Sequence, residues 1–169
     1  PEGTEATINY PSHTNNFHYE LELVVAIGKN GKNISVADAE DYIYGFATGL
    51  DMTRRDLQSE LKDGGKPWEM SKAFDQAVVI GEITPKSAVG NMEEGKIQLQ
   101  VNGKIAQDAN VNELIWSIPE VISRLSEFVE LRAGDLIYTG TPEGVGAVKT
   151  GDAMVGHIEG LKDISVKLL

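Results

Sequence analysis

Apolar side chains fall along this chain in short runs with two rhythms. Residues 20–27 (ELELVVAI) have the length and β-branched content of a strand, and Gly28-Lys29-Asn30-Gly31 behind them signals a turn, which predicts one strand ending there. Ser35-Val36-Ala37-Asp38 reads as an N-cap with an acid three residues on, and Ala39, Tyr42 and Ile43 come next at helical spacing, so a short helix is expected. Residues 45–51 (GFATGLD) are small and apolar and end in an acid, whereas residues 53–62 are charged and compatible with a helix. Asp63-Gly64-Gly65-Lys66-Pro67 supports neither helix nor central strand and is a loop.

Further on, residues 97–101 alternate apolar and polar, and Asn102-Gly103 favours a type I′ turn, which predicts a hairpin. Leu114, Ile115, Ile118, Ile122, Leu125 and Val129 recur at steps of three and four, the mark of an amphipathic helix that Pro119 kinks or begins. Residues 135–139, 153–158 and 164–168 read as short strands separated by glycines. Strands outnumber helices, so the expected class is α+β, with one core over residues 1–169.

Composition narrows the partners. A hydrophobic share of 41% without any run of membrane-spanning length predicts a soluble protein. The net charge of -11 argues against nucleic acid or an anionic membrane surface, both of which recruit basic patches. The absence of cysteine removes disulfides and thiolate metal sites and fits a reducing compartment, so a cytoplasmic location is expected.

The chemistry-bearing residues are mostly acids. On a strand, side chains two apart share a face, so Glu20 and Glu22 point the same way, about 7 Å apart along the strand. Two carboxylates on an otherwise apolar strand repel each other unless a cation intervenes; the plain alternative is a solvated strand end. Asp51 ends its apolar run where a buried strand would meet the surface, and a third oxygen ligand suits a hard divalent ion. His13, His18 and His157 lack the spacing of a zinc pair, which leaves all-oxygen ligation by Mg²⁺ or Mn²⁺ ahead of Ca²⁺, with His18 as a structural hydrogen-bonder.

Cationic groups come after the acids. On a helix, Arg55 would lie four residues beyond Asp51, placed to meet a carboxylate substrate. Lys72 sits in an apolar setting before Ala73-Phe74-Asp75 and is either a site residue or a surface lysine lying along apolar neighbours. The loop Thr139-Gly140-Thr141-Pro142-Glu143-Gly144-Val145-Gly146 lacks the lysine of a phosphate-binding P-loop, yet its backbone donors suit a carboxylate.

Four ordered motifs carry a resemblance over nearly the whole chain: His18-Tyr19-Glu20-Leu21-Glu22-Leu23, Gly49-Leu50-Asp51-Met52-Thr53-Arg54-Arg55-Asp56, Trp68-Glu69-Met70-Ser71-Lys72-Ala73-Phe74-Asp75, and the run from Gly134-Asp135-Leu136 through Gly146. Together they resemble the fumarylacetoacetate hydrolase family. Within it, residues 45–56 and Leu114-Ile115-Trp116-Ser117 resemble the bacterial fumarylpyruvate hydrolases of the gentisate pathway of aromatic catabolism.

The resemblance implies a mixed β-roll with short helices, usually in a homodimer. It implies Glu20, Glu22 and Asp51 as ligands of Mg²⁺ or Mn²⁺, Arg55 and Gln58 on the substrate's carboxylate end, Lys72 polarising or protonating the reacting carbonyl, and Thr141 binding substrate. The implied reaction is metal-dependent hydrolysis of a carbon–carbon bond in a small 2,4-diketo acid, fumarylpyruvate giving fumarate and pyruvate. Oxaloacetate decarboxylation and isomerisation of a diketo acid are alternatives within the same site chemistry; a binding module for metal or carboxylate without turnover is an alternative of another class. Family members carry an activating histidine and a glutamate on an N-terminal lid segment, which the sequence places upstream of Pro1 if it is present at all.

Overall fold

The computed structural model describes residues 3–169, so the reading of the chain's start at Pro1 lies outside the described residues. In chain order the strands are β1 (Gly3–Ile8), β2 (Phe17–Tyr19), β3 (Leu21–Ile27), β4 (Ile43–Asp51), β5 (Thr53–Arg54), β6 (Val78–Ile80) and β7 (Thr84–Pro85). They continue as β8 (Lys96–Val101), β9 (Lys104–Asn110), β10 (Leu136–Tyr138), β11 (Gly146–Val148), β12 (Ala153–Ile158) and β13 (Asp163–Leu168). Among the described residues three short α-helices complete the pattern: α1 (Arg55–Asp63), α2 (Lys86–Val89) and α3 (Ile118–Phe128).

The strands form three sheets, ordered β1-β13-β12-β8-β9, β10-β3-β4-β6 with β7 also on β4, and β11-β2-β5. All pairings are antiparallel except β1 with β13, which run parallel. This is the expected α+β class, a mixed β architecture with few short helices.

β3 is interior, as its doubly apolar sequence predicts: it lies between β10 and β4 and every residue in it is buried. Leu21, Leu23, Val25 and Ile27 join the main core with Phe46 and Leu50, which leaves Glu22 and Val24 on the opposite face. The β8–β9 hairpin turns through Asn102 and Gly103 at φ 50° and 76°, the positive values a type I′ turn requires.

Two helical expectations need correction. Ser35 and Asp38 do bond to each other, the Asp38 N–H reaching the Ser35 hydroxyl at 3.2 Å, but the next residues form only a four-residue 3₁₀ turn, Ala39–Tyr42, because Ile43 already belongs to β4. The long amphipathic segment becomes helix only from Ile118. The N–H and hydroxyl of Ser117 both donate to Glu120, each at 2.7 Å, and Pro119 occupies the first turn, where its missing N–H costs nothing. Leu114 and Ile115 share the helical spacing but precede the cap.

Gly49 faces Glu22 across the β3–β4 ladder, and a Cβ there would lie 2.5 Å from Val24 Cγ2 and 2.8 Å from Tyr138 Cε1. Gly49→Ala is expected to destabilise the protein by about 1–3 kcal/mol through overpacking. Urea unfolding measures this; unchanged stability would mean that Val24 and Tyr138 do not close on this position.

Candidate metal centre

The site is built where β3 begins and β4 ends. Asp51 N–H donates to the Glu20 carbonyl at 2.9 Å, so the last residue of β4 stands beside the residue that precedes β3. Strand alternation places Glu22 on the same face as Glu20, and carboxylate oxygens of Glu20, Glu22 and Asp51 all lie within 4.8 Å of one another. Glu22 is only 4% exposed. The solvated-strand-end alternative therefore fails.

Two cations reach the cluster from outside the strand pair. Lys72 Nζ bridges Glu20 Oε2 at 2.6 Å and Asp51 Oδ2 at 2.5 Å. Arg55 pairs with Glu20 Oε1 through Nη2, donates through Nη1 to Gln58 Oε1 at 2.5 Å, and directs Nε at His18 Nδ1 at 3.4 Å. With Nδ1 accepting, His18 Nε2 carries the proton and donates to Asn16 Oδ1 at 2.8 Å. Burial first, and then the Arg55 guanidinium, hold the His18 pKa below 6.5 against the raising pull of Glu20 and Asp56. The predicted structural role of His18 is thus to brace Arg55. Arg55 gets there differently than the helical spacing suggested: Asp51 is in a strand, and the chain passes through β5 before α1 starts at Arg55 itself.

Among the described residues no cation lies within salt-bridge distance of Glu22. The Gly140 N–H donates to its Oε2 at 2.8 Å, yet burial, with the nearby charges of Asp51 and Glu20 adding to it, raises its pKa to about 7. Burial also raises Asp51, opposed by its bond to Lys72. Three carboxylates against two monovalent cations leave a buried negative charge with oxygen donors only, which fits a hard divalent cation and offers nothing to a soft metal. Glu20, Glu22 and Asp51 are the groups that would hold it.

The glycine-rich loop behaves as its backbone donors suggested, with one of the protein's own carboxylates as acceptor. Gln107 of β9, which no sequence motif marks, fastens that loop: its Nε2 donates to Thr141 Oγ1 and to the Pro142 carbonyl, both at 2.8 Å, while its Oε1 accepts the Leu21 N–H at 3.1 Å. A lone glutamine in a hairpin strand carries no sequence signal for this role. Tyr138, also unforeseen, donates to the Val79 carbonyl at 3.2 Å, and its phenol is pushed up to about 12 by burial and then by the charges of Asp51 and Glu22.

Residues 2–168 match the family model for the fumarylacetoacetate (FAA) hydrolase C-terminal domain. The chain belongs to the fumarylacetoacetate hydrolase family. It is 52% identical over 161 residues to a fumarylpyruvate hydrolase from Ralstonia sp, which covers 95% of this chain and 83% of that protein. It is 40% identical over 168 residues to a mitochondrial oxaloacetate tautomerase of Homo sapiens, 99% of this chain and 75% of that protein. The crystal structure of fumarylpyruvate hydrolase from Pseudomonas aeruginosa in complex with Mn²⁺ and pyruvate superposes with a TM-score of 0.95 at 49% identity, over 98% of this chain and 74% of that one.

In this family member, six of the seven residues singled out from sequence, Glu20, Glu22, Asp51, Arg55, Gln58 and Lys72, stand in one cluster of carboxylates, cations and a buried amide. The seventh, Thr141, comes directly after Gly140 and has its hydroxyl engaged by Gln107. Glu22→Gln is expected to weaken divalent-ion binding by tenfold or more, because a neutral amide replaces an anionic ligand; calorimetry with Mn²⁺ and Mg²⁺ would show it, and unchanged affinity would remove Glu22 from the ligand set.

The raised pKa of Glu22 also predicts a pH dependence. Between its ordinary value of 4.5 and about 7, the metal-free folded state holds a proton that the unfolded chain releases. The stability contributed by this group is present below about 4.5 and is lost as the pH rises through about 7. Metal-free wild-type protein is expected to lose melting temperature relative to Glu22→Gln over that window; parallel curves would mean that Glu22 titrates normally.

Proposed function

We propose that this protein is a metal-dependent hydrolase that cleaves fumarylpyruvate into fumarate and pyruvate. The observation that carries the reading is the buried Glu20, Glu22 and Asp51 cluster flanked by Lys72 and Arg55, in a chain half identical to a fumarylpyruvate hydrolase and similar to one crystallised with Mn²⁺ and pyruvate. When bound, Mn²⁺ or Mg²⁺ supplies Lewis acidity toward the carboxylate and 2-oxo oxygens of a 2,4-diketo acid.

The chain's own groups do the rest. An arginine has five N–H donors; Arg55 directs three at Glu20, Gln58 and His18, and two stay available for a substrate carboxylate. Gln58 turns its carbonyl oxygen to Arg55, which leaves its amide N–H groups for the same end of the substrate. Lys72 gives two of its three ammonium hydrogens to Glu20 and Asp51 and keeps a third for the reacting carbonyl. Thr141 lies in the loop that closes over Glu22 and is assigned to substrate as well.

In the hydrolysis, water oxygen bonds to the acyl carbonyl carbon and the adjacent carbon–carbon bond breaks. The bond's electron pair leaves on the pyruvate fragment as an enolate, which takes a proton to give pyruvate. The reading extends to a cytoplasmic homodimer in gentisate breakdown. It is supported by the similarity to bacterial fumarylpyruvate hydrolases and, for the dimer, by large apolar side chains left exposed at Ile115, Trp116 and Phe128. No helix among the described residues is long and apolar enough to cross a membrane.

A second reading, keto–enol tautomerisation of oxaloacetate, is favoured by the 40% identity to mitochondrial oxaloacetate tautomerases and needs proton movement without water addition. Loss of fumarylpyruvate absorbance with stoichiometric fumarate and pyruvate, abolished by EDTA, is the expected result. Turnover confined to oxaloacetate would overturn the hydrolase reading, and pyruvate release from it would indicate decarboxylation. Lys72→Met is expected to lower kcat by about 10²-fold or more while changing Mn²⁺ affinity little, the mark of a group acting on the reacting carbonyl. Loss of Mn²⁺ binding with unchanged kcat at saturating metal would assign Lys72 to the ion site.

A further inference from the structure

Arg54 is a buried charge that neither the metal centre nor the proposed reaction uses. It is 8% exposed, and among the described residues no carboxylate lies within salt-bridge distance of its guanidinium. Its Nε is buried without a hydrogen-bond partner. A guanidinium in such surroundings costs stability. Its two favourable contacts both go to one segment: Nη1 donates to the Met70 carbonyl at 3.2 Å, and Cζ stands 4.3 Å from the centre of the Phe74 ring. Lys72 lies midway between Met70 and Phe74.

Apart from Arg54, the segment is held by side chains: Ser71 is buried, and Lys62 of α1 stands 5.9 Å from the centre of the Trp68 ring. Between residues 68 and 74 the backbone bonds are local turn bonds, Ser71 N–H to the Trp68 carbonyl and Lys72 and Ala73 N–H to the Glu69 carbonyl, which shape the turn without attaching it to a sheet. Trp68 and Met70 expose their side chains. Phe74 packs edge-on to Phe17, the cross-strand partner of Arg54, at 6.0 Å between centroids, so Phe17, Phe74 and Arg54 form one block under the turn. Yet Lys72 Nζ must reach two carboxylates on other strands at 2.6 and 2.5 Å.

We propose that Arg54 is a positioning residue for the reaction: by gripping Met70 and Phe74 it sets where the Lys72 ammonium stands against Glu20, Asp51 and the substrate. The inference rests on the assignment of Lys72 to the reacting carbonyl. It predicts that activity and stability separate. Replacing a buried guanidinium that lacks a carboxylate by an apolar side chain of similar length leaves stability nearly unchanged or raises it. Displacing a reacting group by a fraction of an ångström lowers turnover by about ten- to a hundredfold.

The test compares wild type, Arg54→Met, Arg54→Lys and Phe74→Leu, all loaded with Mn²⁺. Three quantities are read: kcat and KM on fumarylpyruvate, melting temperature, and the rate at which Lys72 is acetylated by acetic anhydride, tracked by peptide mass spectrometry. Arg54→Met is expected to lose kcat about ten- to a hundredfold with KM little changed, to keep its melting temperature, and to label at Lys72 several-fold faster. Arg54→Lys, which keeps a charge over the Phe74 ring, and Phe74→Leu, which keeps the bond to Met70, are expected to fall between. Unchanged kcat and unchanged labelling in folded variants overturn the proposal, as does a fall in melting temperature with catalysis intact. If wild type itself turns over neither fumarylpyruvate nor oxaloacetate, the functional reading fails separately, and the labelling rates alone decide whether Arg54 holds Lys72.

Discussion

Mutual repulsion among three carboxylates, confined to one face of an interior strand pair, is the constraint around which this structure is arranged. Glu20, Glu22 and Asp51 share a space less than 5 Å across, where the low dielectric strengthens each interaction. Lys72 and Arg55 offset two of the charges from outside the ladder. The third is met by a backbone N–H and by partial protonation until a divalent ion takes its place. Such a cluster costs stability in the absence of the ion, so the rigid apolar surroundings of β3 and β4 have to supply what the charges lose. Hence the acids stand in or beside two almost wholly buried strands, β3 and β4, on the side away from the main core.

The supporting groups answer the same constraint. Gly49 gives up its side chain so that Val24 and Tyr138 can close beside Glu22, which keeps water from screening the cluster. Gln107 ties the loop that carries Gly140 to the first residue of β3, so the donor facing Glu22 and the strand carrying Glu22 move together. His18 and Asn16 orient Arg55 from behind. These polar anchors reach across 86 residues in the case of Gln107, and they convert a strained concentration of charge into a site of fixed shape.

Much of this was legible in the sequence, for definite reasons. Strand alternation converts position into facing, so Glu20 and Glu22 declared their shared face without a structure, and the apolar run into Asp51 marked a strand end. The NG turn and the Ser117 start of α3 obey local backbone rules and were readable locally, although Leu114 and Ile115 mimicked helical spacing beyond the cap. Strands of two or three residues such as β2, β5, β6 and β11 contain no period to detect. Their pairing with distant segments makes them strands. Gln107, Tyr138 and Arg54 were invisible for a related reason: each matters through a neighbour remote in the chain, and nothing in its own window distinguishes it. The mixed β-roll and the role expected of Lys72 came from the family motifs, since composition and spacing left them open, whereas spacing had already set Arg55 toward a carboxylate.

The parallel pairing of β1 with β13 bears on how the molecule comes into being. Among the described residues β1 pairs with no other strand of its sheet; Gly3 to Ile8 run alongside Asp163 to Leu168. During synthesis β1 can therefore make this pairing only after β13, about 160 residues later, has left the ribosome. An exposed strand edge held open that long invites pairing with other chains, and a sheet completed by contacts so remote in sequence is slow to close. Completion of this sheet is thus set by one late pairing, far from the acids that give the protein its chemistry.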